Sequence, residues 1–248
     1  MKRQTPSRSY QAITMQQKLS SPASSNVVSQ TVLLTTRILS LLWLLAQLIW
    51  SVSTNRSYFN FLTNWSWACL LAYFLVAVTA SLKLSRLQAL QFGAFNALFA
   101  VAAGSVWIVS VGYWGLLHKD FIAEQNVTQK YVLFNLHVSN VIIFLLELFI
   151  STNELQIIGV LWPVSAIYVY AIMATIQRYA FGMAWPYSFL KGLLETSSLV
   201  TTISVVAIGL ATAAFYFVSY GLILLRGRIQ GREKKADYES QGTILELM

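Results

Sequence analysis

Charge is what this sequence has least of. Of its 248 residues only 10% are charged, against 56% hydrophobic, and the mean hydropathy is +0.60. A soluble domain carries roughly 25% charged residues. A chain this poor in charge cannot cover a water-facing surface, so its composition points to an integral membrane protein. It has a single cysteine, Cys69, which excludes an intrachain disulfide and leaves no thiolate metal site. The two histidines, His118 and His137, fall short of a metal constellation, and His137 alone lies in an apolar run, so neither a metal nor a haem nor any other cofactor is expected. The soluble-hydrolase and nucleotide signals are missing too: there is no G-x-S-x-G, H-E-x-x-H or P-loop. Strict period-two alternation is missing, which excludes a membrane β-barrel. No internal repeat is evident, which argues against an inverted-repeat transporter.

What is present is a series of six apolar runs, at about 32–53, 60–82, 88–116, 131–151, 155–179 and 197–225. Each reaches the roughly 20 residues needed to cross a bilayer. Unpaired sheet edges cannot face lipid, so the runs predict helices: an all-α polytopic protein, a bundle of six transmembrane helices. The first run is span-length and follows a long Ser/Gln-rich stretch, so it reads as a span and not as a cleaved signal peptide. Residues 1–30 read as a disordered cytoplasmic tail, 31–226 as the six-helix domain, and 227–248 as a basic, then polar, flexible cytoplasmic tail.

The net charge of +8 is unevenly placed. Lys2, Arg3, Arg8 and Lys18 precede the first span, Lys83 and Arg86 lie in the second loop, and Arg226, Arg228, Arg232, Lys234 and Lys235 follow the last. Arg56, Lys119, Lys130, Arg178 and Lys191 fall on the other side. The bias predicts both termini inside, and it flanks spans in a way that excludes nucleic acid as the partner. Arg37, just inside span one, is expected to snorkel to the cytoplasmic face. The sequons at Asn55 and Asn126 fall in the predicted lumenal loops. Trp50, Trp65, Trp67, Trp114, Trp185 and Tyr187 are expected to ring the lumenal interface. Gly93, Ala97, Ala100 and Gly104 make span three a close-packing central helix. Pro163 predicts a kink in span five, with irregular backbone around "LWPVSAIY".

Ionisable groups inside hydrocarbon are costly and mark function by default. Span four holds two, His137 and Glu147. With Asn140 and Ser151 they fall on one helical stripe, which is expected to face the bundle. An interhelical hydrogen bond accounts for such a histidine as well as chemistry does. Glu147, ten residues further on and roughly 15 Å deeper, is too far to orient the imidazole. Asn140 is the nearer orienting group, and the role of Glu147 is left open. Thr63 opens span two in "YFNFLTNWSWACLLAYF". A threonine in a membrane helix ordinarily bonds back to its own helix carbonyls. Spans two and four run the same way, however, which sets Thr63 and His137 at matching depth. A hydroxyl and a neutral imidazole so placed suit a nucleophile and its base.

"FNFLTNW", "LHVSNVIIFLLELFIS" and "AFGMAWPYSFL" together resemble three landmarks of the androgen-induced membrane protein family, in matching order over about residues 58–195. "LTNW" and the His-x-x-Asn of His137 and Asn140 also resemble the Rolling stone branch, a multi-span family linked to myoblast fusion. The first resemblance implies a membrane-embedded threonine hydrolase of fatty acid esters of hydroxy fatty acids, with Thr63 as nucleophile and His137 as the essential histidine. Asn64, Leu136 and the order Pro186-Tyr187 depart from the family pattern, which bears on substrate choice. The amides of Asn64 and Asn140 are the candidate oxyanion donors. The expected partner is a lipid substrate in the bilayer of the endoplasmic reticulum or plasma membrane. The competing expectations are a non-catalytic adaptor or adhesion/fusion protein of Rolling stone type, and a small-solute transporter lined by the polar stripe.

Overall fold

A computed structural model describes residues 25, 27–54, 61–82, 88–124, 126–187, 191, 195 and 197–246. Every regular element among them is helical: α1 (Gln30–Thr54), α2 (Leu62–Ser81), α3 (Gln88–Gly112), α4 (Val127–Ile150), α5 (Leu161–Phe181) and α6 (Ser198–Glu246). A π-helical turn, Tyr113–Leu117, extends α3 into a short helix, His118–Ala123, and a 3-10 turn, Ile157–Val160, leads into α5. All six helices are long and apolar enough to cross a membrane. Asn55, Arg56, Asn60, Lys83, Arg86 and most of the N-terminal tail lie outside the described residues. Where the C-terminal tail is expected to be flexible, α6 continues as helix to Glu246.

Local chemistry sets the boundaries. The Asn126 side chain accepts from the backbone of Thr128 and Gln129 and so caps α4. Gly182, at φ 66°, ends α5 in the left-handed conformation that glycine adopts without cost. Pro163 is the third residue of α5, in its first turn, where a missing N–H costs little. The expected mid-span kink is therefore not formed, and "LWPVSAIY" is regular helix.

The bundle is apolar outside and polar within. Leu39, Ile49, Leu75, Ile142, Ile172 and Leu210 are exposed, while Arg37, Asn140, Glu147, Thr212 and Ser219 are buried. Water would select the opposite arrangement; lipid favours this one. The centre is aromatic, with Tyr73 against Phe99 at 5.4 Å and Phe99 against Phe144 at 5.6 Å between ring centroids. Trp67 belongs to this centre and not to the interface ring: it is 1% exposed and donates from Nε1 to the Leu136 carbonyl at 2.9 Å, tying α2 to α4.

Helix α3 is the central packing element, with α2, α4, α5 and α6 all against it. At Gly104 the reason is visible: a Cβ there would lie 2.6 Å from Pro163 Cβ and 3.4 Å from Thr212 Cγ2. Only a residue without a side chain lets the three helices meet that closely. Gly93 has no such neighbour, so the small-residue stripe works at one end only.

Candidate functional site

Thr63 stands in the first turn of α2, whose N-cap residue, Phe61, supplies no side-chain cap. The first amides of a helix need acceptors. Here two tyrosines from distant parts of the chain supply them. The backbone N–H of Leu62 donates to the Tyr170 phenol oxygen, and those of Leu62 and Thr63 to the Tyr187 phenol oxygen. The Thr63 hydroxyl is hydrogen-bonded to Tyr187 as well. Burial pushes the Tyr187 phenol up against the pull of these donors, so it stays protonated at neutral pH. Tyr187 is thus a partner of Thr63 and of the helix end, beyond the interface anchor its position in sequence suggests. Trp65 packs edge-on against Tyr170, and Phe61 against Tyr187.

His137 faces the bundle from α4 and is 5% exposed. Its ring lies flat on Tyr113, with centroids 3.6 Å apart and planes 4° from parallel. Its Nδ1 is buried and has no hydrogen-bond partner. Tyr113 opens the π-helical turn of α3, a type of bulge often found at functional sites. Nothing in the local sequence "GYWGLL" announces that turn.

Thr63 and His137 line one cavity of about 170 Å³. The rest of its wall is almost entirely apolar, drawn from α3, α5 and α6, with Tyr113, Tyr170 and Tyr187 near the two polar groups. Leu116, on the π-helical turn, is the wall residue most open to the outside. No hydrogen bond joins the two residues: Thr63 is engaged by Tyr187, and the free nitrogen of His137 accepts from nothing.

The other sequence candidates lie elsewhere. Asn64 and Asn140 are buried but do not line the cavity. Asn140 Oδ1 accepts from the Ser110 hydroxyl at 3.2 Å and from the Val141 amide at 2.7 Å, so it does not orient His137. Glu147 and Ser151 share the buried stripe but serve a separate polar centre at the other end of α4. The carboxylate of Glu147 accepts from Arg37 Nη2 at 2.6 Å and Nε at 3.1 Å, from the Tyr73 hydroxyl at 2.7 Å and from Asn153 Nδ2 at 3.1 Å. Arg37 also donates to Ser81 at 2.7 Å and is 0% exposed. Its expected snorkelling is thus overturned: the pull of a buried carboxylate on the facing helix keeps the guanidinium inside. Arg226 belongs to the same region. It donates to the carbonyls of Leu148, Ser151 and Asn153, closing the C-terminal end of α4. Among the described residues no group of acidic, histidine and cysteine side chains is placed to hold a metal ion.

Compared with models of known protein families, with curated proteins and with solved structures, the chain matches none.

Proposed function

We propose that this protein is a multi-pass membrane hydrolase of acyl esters, with Thr63 as nucleophile, His137 as base and both termini on the cytoplasmic side. The observation that carries the reading is that a threonine and a histidine from different helices line one apolar cavity. The resemblance of "FNFLTNW" and "LHVSNVIIFLLELFIS" to the androgen-induced family supports it and suggests fatty acid esters of hydroxy fatty acids, or similar acyl lipids, as substrates. The membrane of residence is the endoplasmic reticulum or the plasma membrane.

In the proposed reaction the Thr63 side chain turns from Tyr187 toward His137. The imidazole of His137 takes the hydroxyl proton as Oγ1 attacks the ester carbonyl carbon. The tetrahedral intermediate collapses to an acyl-threonine, and the imidazolium returns the proton to the departing alkoxide. Water, deprotonated by His137, then attacks the acyl-threonine and releases the fatty acid with Thr63 restored. Asn64 and Asn140 stand outside the cavity wall, so the oxyanion is assigned to the tyrosine hydroxyls gathered at the first turn of α2, Tyr170 and Tyr187. The positive end of the helix dipole favours negative charge at the same place.

The engagement of Thr63 by Tyr187 favours a second reading, in which these groups are interhelical glue in a non-catalytic adaptor or adhesion/fusion protein of Rolling stone type. Fluorophosphonate labelling and p-nitrophenyl ester turnover by the purified protein separate the two. The hydrolase reading expects labelling and turnover to vanish in Thr63→Ala and turnover to fall at least about a hundredfold in His137→Ala. Equal background turnover in wild type and both variants sinks it. Orientation is tested apart from activity: a glycosylation acceptor at Asn126 is modified and one added to the C-terminal tail is not, and the reverse result inverts the topology.

A further inference from the structure

Among the described residues, Tyr187 is the one wall residue of the cavity that no helix carries. The reason lies in where the helices end. Ser66 on α2 is hydrogen-bonded to Ser105 on the antiparallel α3 at 3.0 Å, so Thr63 stands level with Ile108. Past that level α3 and its π-helical turn rise about 13 Å further, to Leu117, whereas α2 has already stopped. The contact of Gly104 with Pro163 likewise sets Ile108 level with Ile167, past which α5 rises about 20 Å to Phe181. The first turn of α2 is thus recessed between longer neighbours. Tyr187, at the end of residues 182–187, is what reaches Thr63 from that side.

This strap is firmly fixed where it starts and lightly held beyond. Gly182, at φ 66°, reverses the chain, and the Met183 amide closes the turn by donating to the Gln177 carbonyl at 3.1 Å. After Met183 the holds are few. Trp185 donates from Nε1 to Glu195 at 2.7 Å, and Arg178, in the last turn of α5, donates from Nε to the same oxygen at 2.9 Å. Trp185 also stands edge-on to Tyr179, with centroids 6.2 Å apart. These contacts lie at the surface, with Glu195 exposed. An ion pair so placed holds weakly, and chain held by such contacts opens at small free-energy cost. At the far end Tyr187 stands edge-on to Phe61 at 5.6 Å and covers Thr63, which is 6% exposed.

We propose that residues 184–187 are a lid over Thr63, latched through Glu195 to Arg178 and Trp185, and closed in this structure. Closed, the lid sets the Tyr187 ring into the cavity wall and covers the Thr63 hydroxyl. Open, it takes that ring away and gives access to Thr63 along the recessed end of α2. Tyr170, carried by α5, keeps its bond to the Leu62 amide, so α2 stays capped while the lid is open. Opening admits substrate, and closing returns Tyr187 to the first turn of α2 as an oxyanion donor. That consequence rests on the hydrolase reading; the movement itself does not.

Thiol reaction at position 63 tests the lid without an ester. Cys69 is the sole cysteine, so Cys69→Ser gives a cysteine-free background. Thr63→Cys is built on it and, as a control, so is Ser66→Cys, about one turn further into α2 and 2% exposed. The purified proteins in lipid nanodiscs are treated with a charged methanethiosulfonate, and the rate of modification is measured. With the latch intact, Thr63→Cys should react slowly. Adding Glu195→Ala removes both latch bonds from outside the cavity wall; it should speed the reaction at position 63 by about threefold or more and leave position 66 unchanged. Arg178→Met should act in the same direction and by less, because Trp185 still holds Glu195. An unchanged rate at position 63 in both latch variants, or an equal rise at position 66, overturns the inference. Latch-dependent labelling in a protein that turns over no ester leaves the lid standing and removes the hydrolase reading; ester turnover with latch-independent labelling does the opposite.

Discussion

Removing the charge of Glu147 leaves a guanidinium inside the bundle without its counter-charge. Arg37 is 0% exposed, and it also donates to the Ser81 hydroxyl, which is neutral. Breaking a buried ion pair on one side costs about 3–5 kcal/mol, because the surviving charge stays desolvated and uncompensated. In a chain of this size about 1 kcal/mol moves the melting temperature by about 2–4 °C, so Glu147→Gln should lower it by about 6–20 °C. Arg37→Met should cost a similar amount by leaving the carboxylate uncompensated, with Tyr73 and Asn153 as its neutral donors. The double variant removes both charges, while the glutamine amide oxygen can still accept from Tyr73. It should therefore be less destabilised than the sum of the single changes by at least about 2 kcal/mol. Cys69 makes the assay simple. It is the sole cysteine and is half-buried, so its reaction with a thiol-activated dye during heating in detergent reports opening of the bundle. Additivity of the two single effects to within about 0.5 kcal/mol would show that the pair is not coupled and that the reasoning from burial is wrong.

Trp67→Phe keeps an aromatic ring but deletes the 2.9 Å bond to the Leu136 carbonyl, and should destabilise by about 1 kcal/mol, read as a small fall in melting temperature. Gly104→Leu forces a side chain into the Pro163 and Thr212 contact and should cost about 1–3 kcal/mol, whereas Gly93→Leu, with open space around it, should be near neutral; equal effects in thermal scans would contradict the packing. The Glu195 carboxylate receives hydrogen bonds from Trp185 Nε1 at 2.7 Å and Arg178 Nε at 2.9 Å, which hold its pKa below the ordinary glutamate range. Whatever stability this contact adds is fully present above the unfolded pKa and is lost as pH falls through the lower, folded one. Trp185 fluorescence should therefore titrate below the normal glutamate range in wild type and show no such step in Glu195→Gln.

Six helices were legible in the sequence because lipid imposes a simple rule: every spanning segment must be long, apolar and internally hydrogen-bonded. The same rule placed the stripe of His137, Asn140, Glu147 and Ser151 toward the bundle, since ionisable groups do not face hydrocarbon. The closeness of Thr63 and His137 to a common depth followed from span direction alone. What the sequence could not show was which partner each buried polar group would find. Arg37 was expected to snorkel, and it is buried because Glu147, on a helix more than a hundred residues away in sequence, lies opposite it. Trp67 differs from an interface tryptophan only by the carbonyl it meets. Tyr187 and Tyr170 became helix caps because the chain brought them to amides that Phe61 left uncapped. The cavity and the stacking of His137 on Tyr113 depend on the register of α3, α5 and α6, which the close approach at Gly104 and the Ser219 hydroxyl bond to the Ala103 carbonyl help to fix. Local pattern determines the spans because the bilayer acts on each segment separately; the site was decided only by tertiary structure, because its hydrogen bonds and its depth are properties of helices packed against one another.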